Sequence, residues 1–223
     1  MKKSKTLFTV LFLGALWGIL EATIGTILHL PVVHEIIFFA STAVMLPIAY
    51  LITGRAYKIT GKSRTVLYVG LVAASIKSIT FVLGLPVQYV INPMVAIILE
   101  SSVMAVAFKV SKPENVCSLK SFATFVVASL AFRVAYVSYS MSTAGAFGSA
   151  YLVGGSIVWN EVTQYVITAL GISCIYAAIY MVVGKAVSSK IPAKSLGKLQ
   201  HFAYSPVFSI AMIAIAFAVT IIL

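Results

Sequence analysis

LWGILEATIGTILHLPVVHE, residues 16–35, combines a run apolar enough to lie in lipid with two carboxylates and two imidazoles. The ionisable side chains are Glu21, His29, His34 and Glu35. A charged group near the bilayer centre costs about 2.5–3.5 kcal/mol on insertion scales, so a segment that only spans the membrane rarely carries one. The stretch therefore predicts a transmembrane helix whose carboxylate has a function.

The whole chain has the composition of a membrane protein. Its 223 residues are 61% hydrophobic and 9% charged, and the mean hydropathy is +1.07, whereas soluble domains carry about 25% charged residues. Apolar runs of about 20 residues, long enough to cross the ~30 Å hydrocarbon core as helices, recur along the sequence. These runs are continuous rather than alternating, which favours helices over a barrel. The predicted spans are 7–29, 33–53, 66–85, 91–109, 119–139, 157–183 and 203–223.

These runs predict an all-α integral membrane protein with two helical units joined by a linker. Residues 1–184 form a bundle of six core transmembrane helices, and residues 185–202 form a basic cytoplasmic linker. Residues 203–223 form a seventh, C-terminal transmembrane helix without polar features, which is typical of an anchor. We therefore expect the first six helices to carry the function.

The net charge of +11 does not indicate a nucleic-acid partner, because the basic residues are confined to one side of the predicted membrane. Cytoplasmic segments of membrane proteins are enriched in Lys and Arg, and anionic lipid attracts them. The N-terminus is therefore predicted to be cytoplasmic, in a multi-pass protein of the cell membrane. The clustered basic residues are Lys2, Lys3, Lys5, Arg55, Lys58, Lys62, Arg64, Lys109, Lys112, Lys120, Lys185, Lys190, Lys194 and Lys198.

Five ionisable side chains lie inside the spans instead: Glu21, Lys77, Glu100, Arg133 and Glu161. At a rise of 1.5 Å per residue, all five fall between the outer surface and the midplane. Such groups face the bundle interior, where they pair with one another or mark a ligand or ion path. Glu21–Lys77 and Glu100–Arg133 pairs would fix helix packing, but the excess carboxylate favours an outward-open polar pocket. Polar neighbours at similar depth are Asn92, Tyr136, Asn160 and Gln164.

The first span also carries a stripe of small residues, Gly14, Gly18 and Ala22, at intervals of four. Stripes of this kind let helices approach closely in membranes. This one either packs inside the bundle or forms a docking face for a partner membrane protein. Glu21 lies beside the stripe with Trp17 one turn below it, so the same helix is a candidate wall of the pocket.

Enzyme signatures are sparse, and the sequence predicts neither an enzyme nor a bound cofactor. It contains no nucleophile elbow, no zinc-protease motif and no phosphate-binding glycine loop. Glu21, His29, His34 and Glu35 offer imidazole and carboxylate ligands that suit several transition metals. An intramembrane metal carrier or metalloenzyme is therefore the alternative, although histidines also occur at wet membrane interfaces without binding metal.

The size, the basic loops, the predicted topology and the first helix, with GALWGILEA at residues 14–22, resemble the substrate-binding S components of energy-coupling factor (ECF) transporters. The resemblance implies a subunit that binds a small vitamin-like micronutrient from outside the cell. It also implies partners: an ECF transmembrane coupling subunit, docked on Gly14, Gly18 and Ala22, and cytoplasmic ATPases. The site would then include Glu100, Arg133, Trp159, Asn160, Glu161 and Gln164.

The charge of the solute stays open at this point. An excess of acid in the pocket favours a cationic or amine-bearing molecule. Lys77 and Arg133 equally favour a carboxylate. Trp159 and the nearby tyrosines either form the interfacial aromatic belt or stack on a planar ligand.

Overall fold

α-Helices make up nearly all of the part of the chain that the computed structural model describes, which comprises residues 2–28, 40–113, 118–190 and 205–222. The long apolar runs form the long helices, as expected for segments that satisfy their own backbone hydrogen bonds. The helices are α1 (Lys2–Leu20), α2 (Ala40–Thr60), α3 (Arg64–Lys77), α4 (Val87–Ser111), α5 (Leu119–Ser142), α6 (Ala144–Phe147), α7 (Trp159–Thr163), α8 (Ala169–Lys190) and α9 (Pro206–Ile222).

Three of the long helical segments contain a stretch of π or 3₁₀ helix in addition to α-helix. A π turn at Glu21–Gly25 and three further residues, Thr26–Leu28, extend α1, and a second π turn at Gln164–Thr168 joins α7 to α8. A 3₁₀ helix, Ser78–Leu83, extends α3. π turns insert locally into α-helices and are frequent at functional sites.

The connection between α5 and α7 is ordered by a small hairpin. Its strands, Leu152–Val153 and Ser156–Ile157, pair antiparallel. The turn between them places Gly154 and Gly155 at φ values of 57° and 80°, which glycine adopts without steric cost. Just before the hairpin, the Tyr151 ring packs 5.5 Å from the ring of Tyr165, so this connection contacts the helical bundle.

The architecture is that of an all-α membrane protein. Among the described residues, five helical segments are long and apolar enough to cross a bilayer: Thr6–Gly25, Arg64–Leu83, Val87–Ser111, Leu119–Ser142 and Trp159–Ala186. The sequence predicted seven. The C-terminal helix α9 is shorter, at 17 residues, and α2 is 21 residues long but carries Arg55 and Lys58.

Helix α2 also departs from its predicted position. The expected span ended at residue 53, whereas the helix continues to Thr60, so Arg55 and Lys58 lie on helix rather than in a loop. Positions 33–39 of that span lie outside the described residues.

Helices α2, α4 and α5 meet around Tyr50. Its hydroxyl donates to the carbonyl oxygen of Ser121 at 2.7 Å, and its ring packs against Phe108 and Phe125 at centroid distances of 5.0 and 5.3 Å. On the neighbouring face, α3 approaches α4 closely because Gly70 leaves no side chain between the helix and Ser101. Close packing and buried hydrogen bonds of this kind hold helices together where lipid supplies no hydrophobic driving force.

The small-residue stripe of α1 lies inside the bundle. A Cβ at Gly14 would stand 2.5 Å from Cβ of Val72, and one at Gly18 would stand 2.9 Å from Cδ1 of Ile76. Ala22 is also buried. At Gly14 and Gly18, α3 of the same chain occupies this face, and docking of a partner at Gly14, Gly18 and Ala22 stays a prediction.

Helix α9 covers another part of α1. Ala15 and Ala216 are fully buried in a cluster with Ile76, and Phe12 lies 5.6 Å from Phe208. The Ser209 hydroxyl donates to the carbonyl oxygen of Phe8 at 3.1 Å. The C-terminal helix is thus packed on the bundle rather than tethered only by its linker.

The two ends of the bundle differ in charge. Lys62 lies in the turn between α2 and α3, Lys112 lies in the connection between α4 and α5, and Lys120 lies in the first turn of α5. Because successive packed helices run in opposite directions, these connections are at the same end, here called the basic end. The α3–α4 connection at 84–86 and the hairpin lie at the opposite end.

Candidate ligand-binding cavity

A cavity of about 550 Å³ lies between α1, α2, α3, α4, α5 and the second π turn, away from the basic end. Its volume falls within the range of small-molecule sites, about 300–1,000 Å³. The lining combines ionisable, polar, aromatic and apolar side chains. The lining residues are Glu21, Gly25, Thr42, Met45, Lys77, Gln88, Tyr89, Asn92, Pro93, Ala96, Ile97, Glu100, Phe132, Tyr136 and Tyr165.

Five of the eleven residues predicted for the substrate site line this cavity: Glu21, Lys77, Asn92, Glu100 and Tyr136. They come from four different helical segments, so their approach depends on the tertiary fold. The two carboxylates and the ammonium, which the sequence placed at similar depths, therefore line one cavity.

Glu100 is the most deeply buried of the three charged groups, at 5% exposure. Among the residues that the structure describes, its Oε2 atom has no hydrogen-bond partner. A buried oxygen left without a partner costs about 1–3 kcal/mol, and more when it is charged. Because Glu100 is also a lining residue of the cavity, its carboxylate is a candidate acceptor for a bound molecule.

The cavity-lining face of α4 leads from the mouth of the cavity to Glu100. Asn92 lies eight residues before Glu100, two helical turns away. Sequence reasoning missed five other members of this face, although their spacing of three and four residues was visible. They are Gln88, Tyr89, Pro93, Ala96 and Ile97.

The first π turn sets the position of Glu21. The indole nitrogen of Trp17 donates to Oε1 of Glu21 at 3.3 Å. On the other side, a Cβ at Gly25 would stand 2.9 Å from Oε2 of Glu21, so the glycine provides the space for the carboxylate. Trp17 does not line the cavity; it is fully buried behind Glu21 and orients it.

Aromatic rings form the wall opposite α1. Tyr136 packs against Tyr139 and Tyr165 at centroid distances of 6.0 and 5.9 Å. The Tyr139 hydroxyl donates to Oδ1 of Asn92 at 3.0 Å, which ties α5 to α4 beside the cavity. At the end of the wall, burial raises the pKa of Tyr151 above its usual range, so this phenol stays neutral.

Arg133 does not line the cavity. It is fully buried, and its guanidinium donates to the carbonyl oxygens of Tyr165 at 3.4 Å and Ala169 at 2.9 Å, and to the hydroxyl of Ser173. This geometry places Arg133 outside the cavity lining, and its predicted contact with a solute stays a prediction. Helix α5 uses the side chain to cap backbone carbonyls beside the second π turn, where the regular helical ladder is interrupted.

The predicted cluster at the start of the last long core helix also lies away from the cavity. Trp159 is 68% exposed, Asn160 is exposed, and Glu161 and Gln164 are half-buried. None of the four lines the cavity. From this segment the cavity receives Tyr165 instead, which the sequence analysis assigned to an aromatic belt or stacking role.

The metal-binding alternative rests on residues that are mostly beyond the described part of the chain. His29, His34 and Glu35 lie outside the described residues, whereas Glu21 lines the cavity. Within residues 2–28, 40–113, 118–190 and 205–222, no group of three or more His, Cys, Asp or Glu side chains is arranged to hold a metal ion.

A second cavity, a groove of about 650 Å³, lies between α4 and α5 in the half of the bundle near the basic end. Among the described residues, its one ionisable lining residue is Lys120, and small or apolar side chains such as Val106, Ala107 and Val127 form most of its wall. This groove lacks the convergent polar groups that fix the orientation of a small ligand.

Comparison of the chain with the models of known protein families, with curated proteins and with solved structures returns no match. We therefore infer a function from the geometry of the cavity that contains Glu21, Lys77 and Glu100.

Proposed function

We propose that this chain is a membrane-embedded solute-binding subunit for the uptake of a small vitamin-like micronutrient. The observation that carries the proposal is the cavity that Glu21, Lys77 and Glu100 line from three helical segments. Ionisable side chains inside a membrane bundle are costly, and they ordinarily line a substrate or ion path. The unpartnered oxygen of Glu100 supports a bound molecule rather than a closed packing pair.

In the proposed orientation the basic end faces the cytoplasm and the cavity opens toward the extracytoplasmic side. The positive-inside rule supports this orientation, because the connections at the cavity end carry no Lys or Arg. The proposal includes α2 and α9 as transmembrane helices, in addition to the five longer apolar segments.

The proposed partners are an ECF-type coupling subunit and cytoplasmic ATPases. The sequence has no phosphate-binding glycine loop, which supports an external source of energy for release of the solute. Since α3 packs against Gly14 and Gly18, the proposal includes docking of the coupling subunit on a surface other than these two glycines.

Mass spectrometry of the denatured protein tests solute binding. The full chain is purified in lipid nanodiscs, and the molecules released on denaturation are compared with those from empty nanodiscs. We expect a small organic molecule present only in the protein sample. A stoichiometric transition metal in its place would contradict the proposal and favour the metal-binding alternative at Glu21, His29, His34 and Glu35.

A further inference from the structure

We infer that the solute is an organic cation whose charged nitrogen binds at Glu100. This inference rests on the proposed function and assigns the chemical class of the molecule that the cavity accepts. Three features of the cavity carry it: the balance of charges, the engagement of Arg133 elsewhere, and the aromatic and apolar surface beside the carboxylate.

Acidic groups outnumber basic groups on the described lining of the cavity. Glu21 and Glu100 are its carboxylates, and Lys77 is its ammonium. Glu100 is buried to 5% exposure and Oε2 is without a hydrogen-bond partner, so the bundle itself leaves one strong acceptor available. A protonated amine supplies both the charge and the N–H donors that such an oxygen requires.

Arg133 does not line the cavity, so a ligand carboxylate inside it does not meet the guanidinium directly. Its terminal nitrogens donate to Tyr165, Ala169 and Ser173 on the neighbouring helical segment, and its side chain is fully buried. A guanidinium in the cavity would have favoured an anion. Without it, a bound carboxylate would meet Lys77 together with two acidic side chains.

The surface beside Glu100 suits a cation attached to an apolar body. Ile97, Phe132, Tyr136 and Tyr165 line the cavity together with Glu100. Aromatic faces attract cations within about 6 Å of the ring centre, most strongly where water is excluded. The volume of about 550 Å³ far exceeds that of a bare metal ion, which favours an organic molecule.

A matched set of probes tests this assignment in the full chain. The chain has two tryptophans, and Trp159 is 68% exposed, so Trp159→Phe leaves Trp17, bonded to Glu21, as the single fluorescent reporter. This variant in nanodiscs is titrated with 2-phenylethylamine, 2-phenylethanol and 3-phenylpropionate, which are similar in size and differ in charge. We expect the amine alone to change Trp17 emission with a saturable dependence.

Glu100→Gln, made in the same Trp159→Phe background, identifies the binding residue. Losing a charged hydrogen bond of about 1.5–3 kcal/mol weakens the amine about tenfold or more. Glu161→Gln is the matched control, because it removes a half-buried carboxylate that does not line the cavity. We expect the control to bind the amine as the parent does. Equal amine affinity in the Glu100→Gln protein would overturn the assignment.

The remaining outcomes separate this inference from the proposed function. Saturable binding of the propionate or the alcohol at least as tight as that of the amine would overturn the cationic class and leave a solute-binding protein. Failure of all three probes would also overturn the inference. If denatured protein then released no organic molecule, the proposed function would fail with it.

Discussion

Glu100 and Arg133 are both deeply buried charges, yet they serve different purposes in this bundle. Arg133 donates to the carbonyl oxygens of Tyr165 and Ala169, and thus links α5 to the segment around the second π turn. Glu100 has an oxygen without a partner on a cavity wall. Each side chain leaves one atom without a hydrogen-bond partner among the described residues, Oε2 of Glu100 and Nε of Arg133, and what separates them is that Glu100 lines the cavity whereas Arg133 does not.

Arg133→Met is expected to lower stability, because the carbonyls it serves lose their buried donors. A buried acceptor left unsatisfied costs about 1–3 kcal/mol, so the thermal unfolding temperature in nanodiscs should fall clearly. Lys77→Met is the control, since Lys77 is half-buried at the cavity and its loss should change stability little. If the Arg133→Met protein unfolds at the same temperature as the wild type, these hydrogen bonds are dispensable for stability.

Sequence reasoning identified both residues but could not assign their roles. Each is an isolated charge within an apolar run, and depth along a helix follows from the fixed rise per residue. The direction in which a side chain points depends on the rotation of its helix, which tertiary packing sets. For Arg133 the direction also depends on a π turn on a neighbouring segment, and that turn has no sequence signature.

At the scale of helices, glycine determines where α1 and α3 touch. Gly14 and Gly18 provide the space for Val72 and Ile76. The sequence predicted a close helix contact from this stripe, but it could not distinguish a contact within the chain from one with a partner, because both require small residues at the same spacing.

Gly14→Leu is expected to destabilise the protein and not merely to block a partner. Its Cβ would stand 2.5 Å from Cβ of Val72 and 2.9 Å from the carbonyl oxygen of Val69. Overpacking of this kind costs about 1–3 kcal/mol. Gly171→Leu is the matched control, because Gly171 has open space around its Cα. Thermal unfolding of the two variants at the same temperature would contradict the proposed α1–α3 contact.

Helix boundaries were predicted less well than the existence of the helices. Apolar runs locate a buried helix, but its ends depend on capping and on connections that continue beyond the apolar segment. Helix α2 reaches Thr60, past Arg55 and Lys58, because a charged turn can continue the helix at the basic end.

Over the whole molecule, basic residues concentrate at one end of the bundle and the ionisable cavity lies toward the other. Composition alone identified the class of protein, since an apolar chain of this kind cannot fold in water. The sequence could not foresee that α9 would pack on α1, because its uniformly apolar surface gives no preferred contact face.

Deleting residues 203–223 is expected to preserve solute binding while lowering thermal stability. No residue of α9 lines the cavity, but the helix buries Ala15 and Ile76 and bonds to the carbonyl oxygen of Phe8. Binding is measured as the amount of small molecule released from the truncated and full chains. If the truncated protein remains folded but releases no small molecule, α9 is required for solute binding and the prediction is wrong.

We expect the cavity around Glu100 to hold the solute, so a large side chain that fills this cavity should abolish binding. Ala96 lines that cavity and Ala107, on the same helix, lines the groove near the basic end. Mass spectrometry quantifies the organic molecule released per chain from the wild type, Ala96→Phe and Ala107→Phe. We predict equal release from the wild type and Ala107→Phe, and none from a folded Ala96→Phe protein. Equal release from all three proteins would show that the molecule does not bind in the cavity around Glu100.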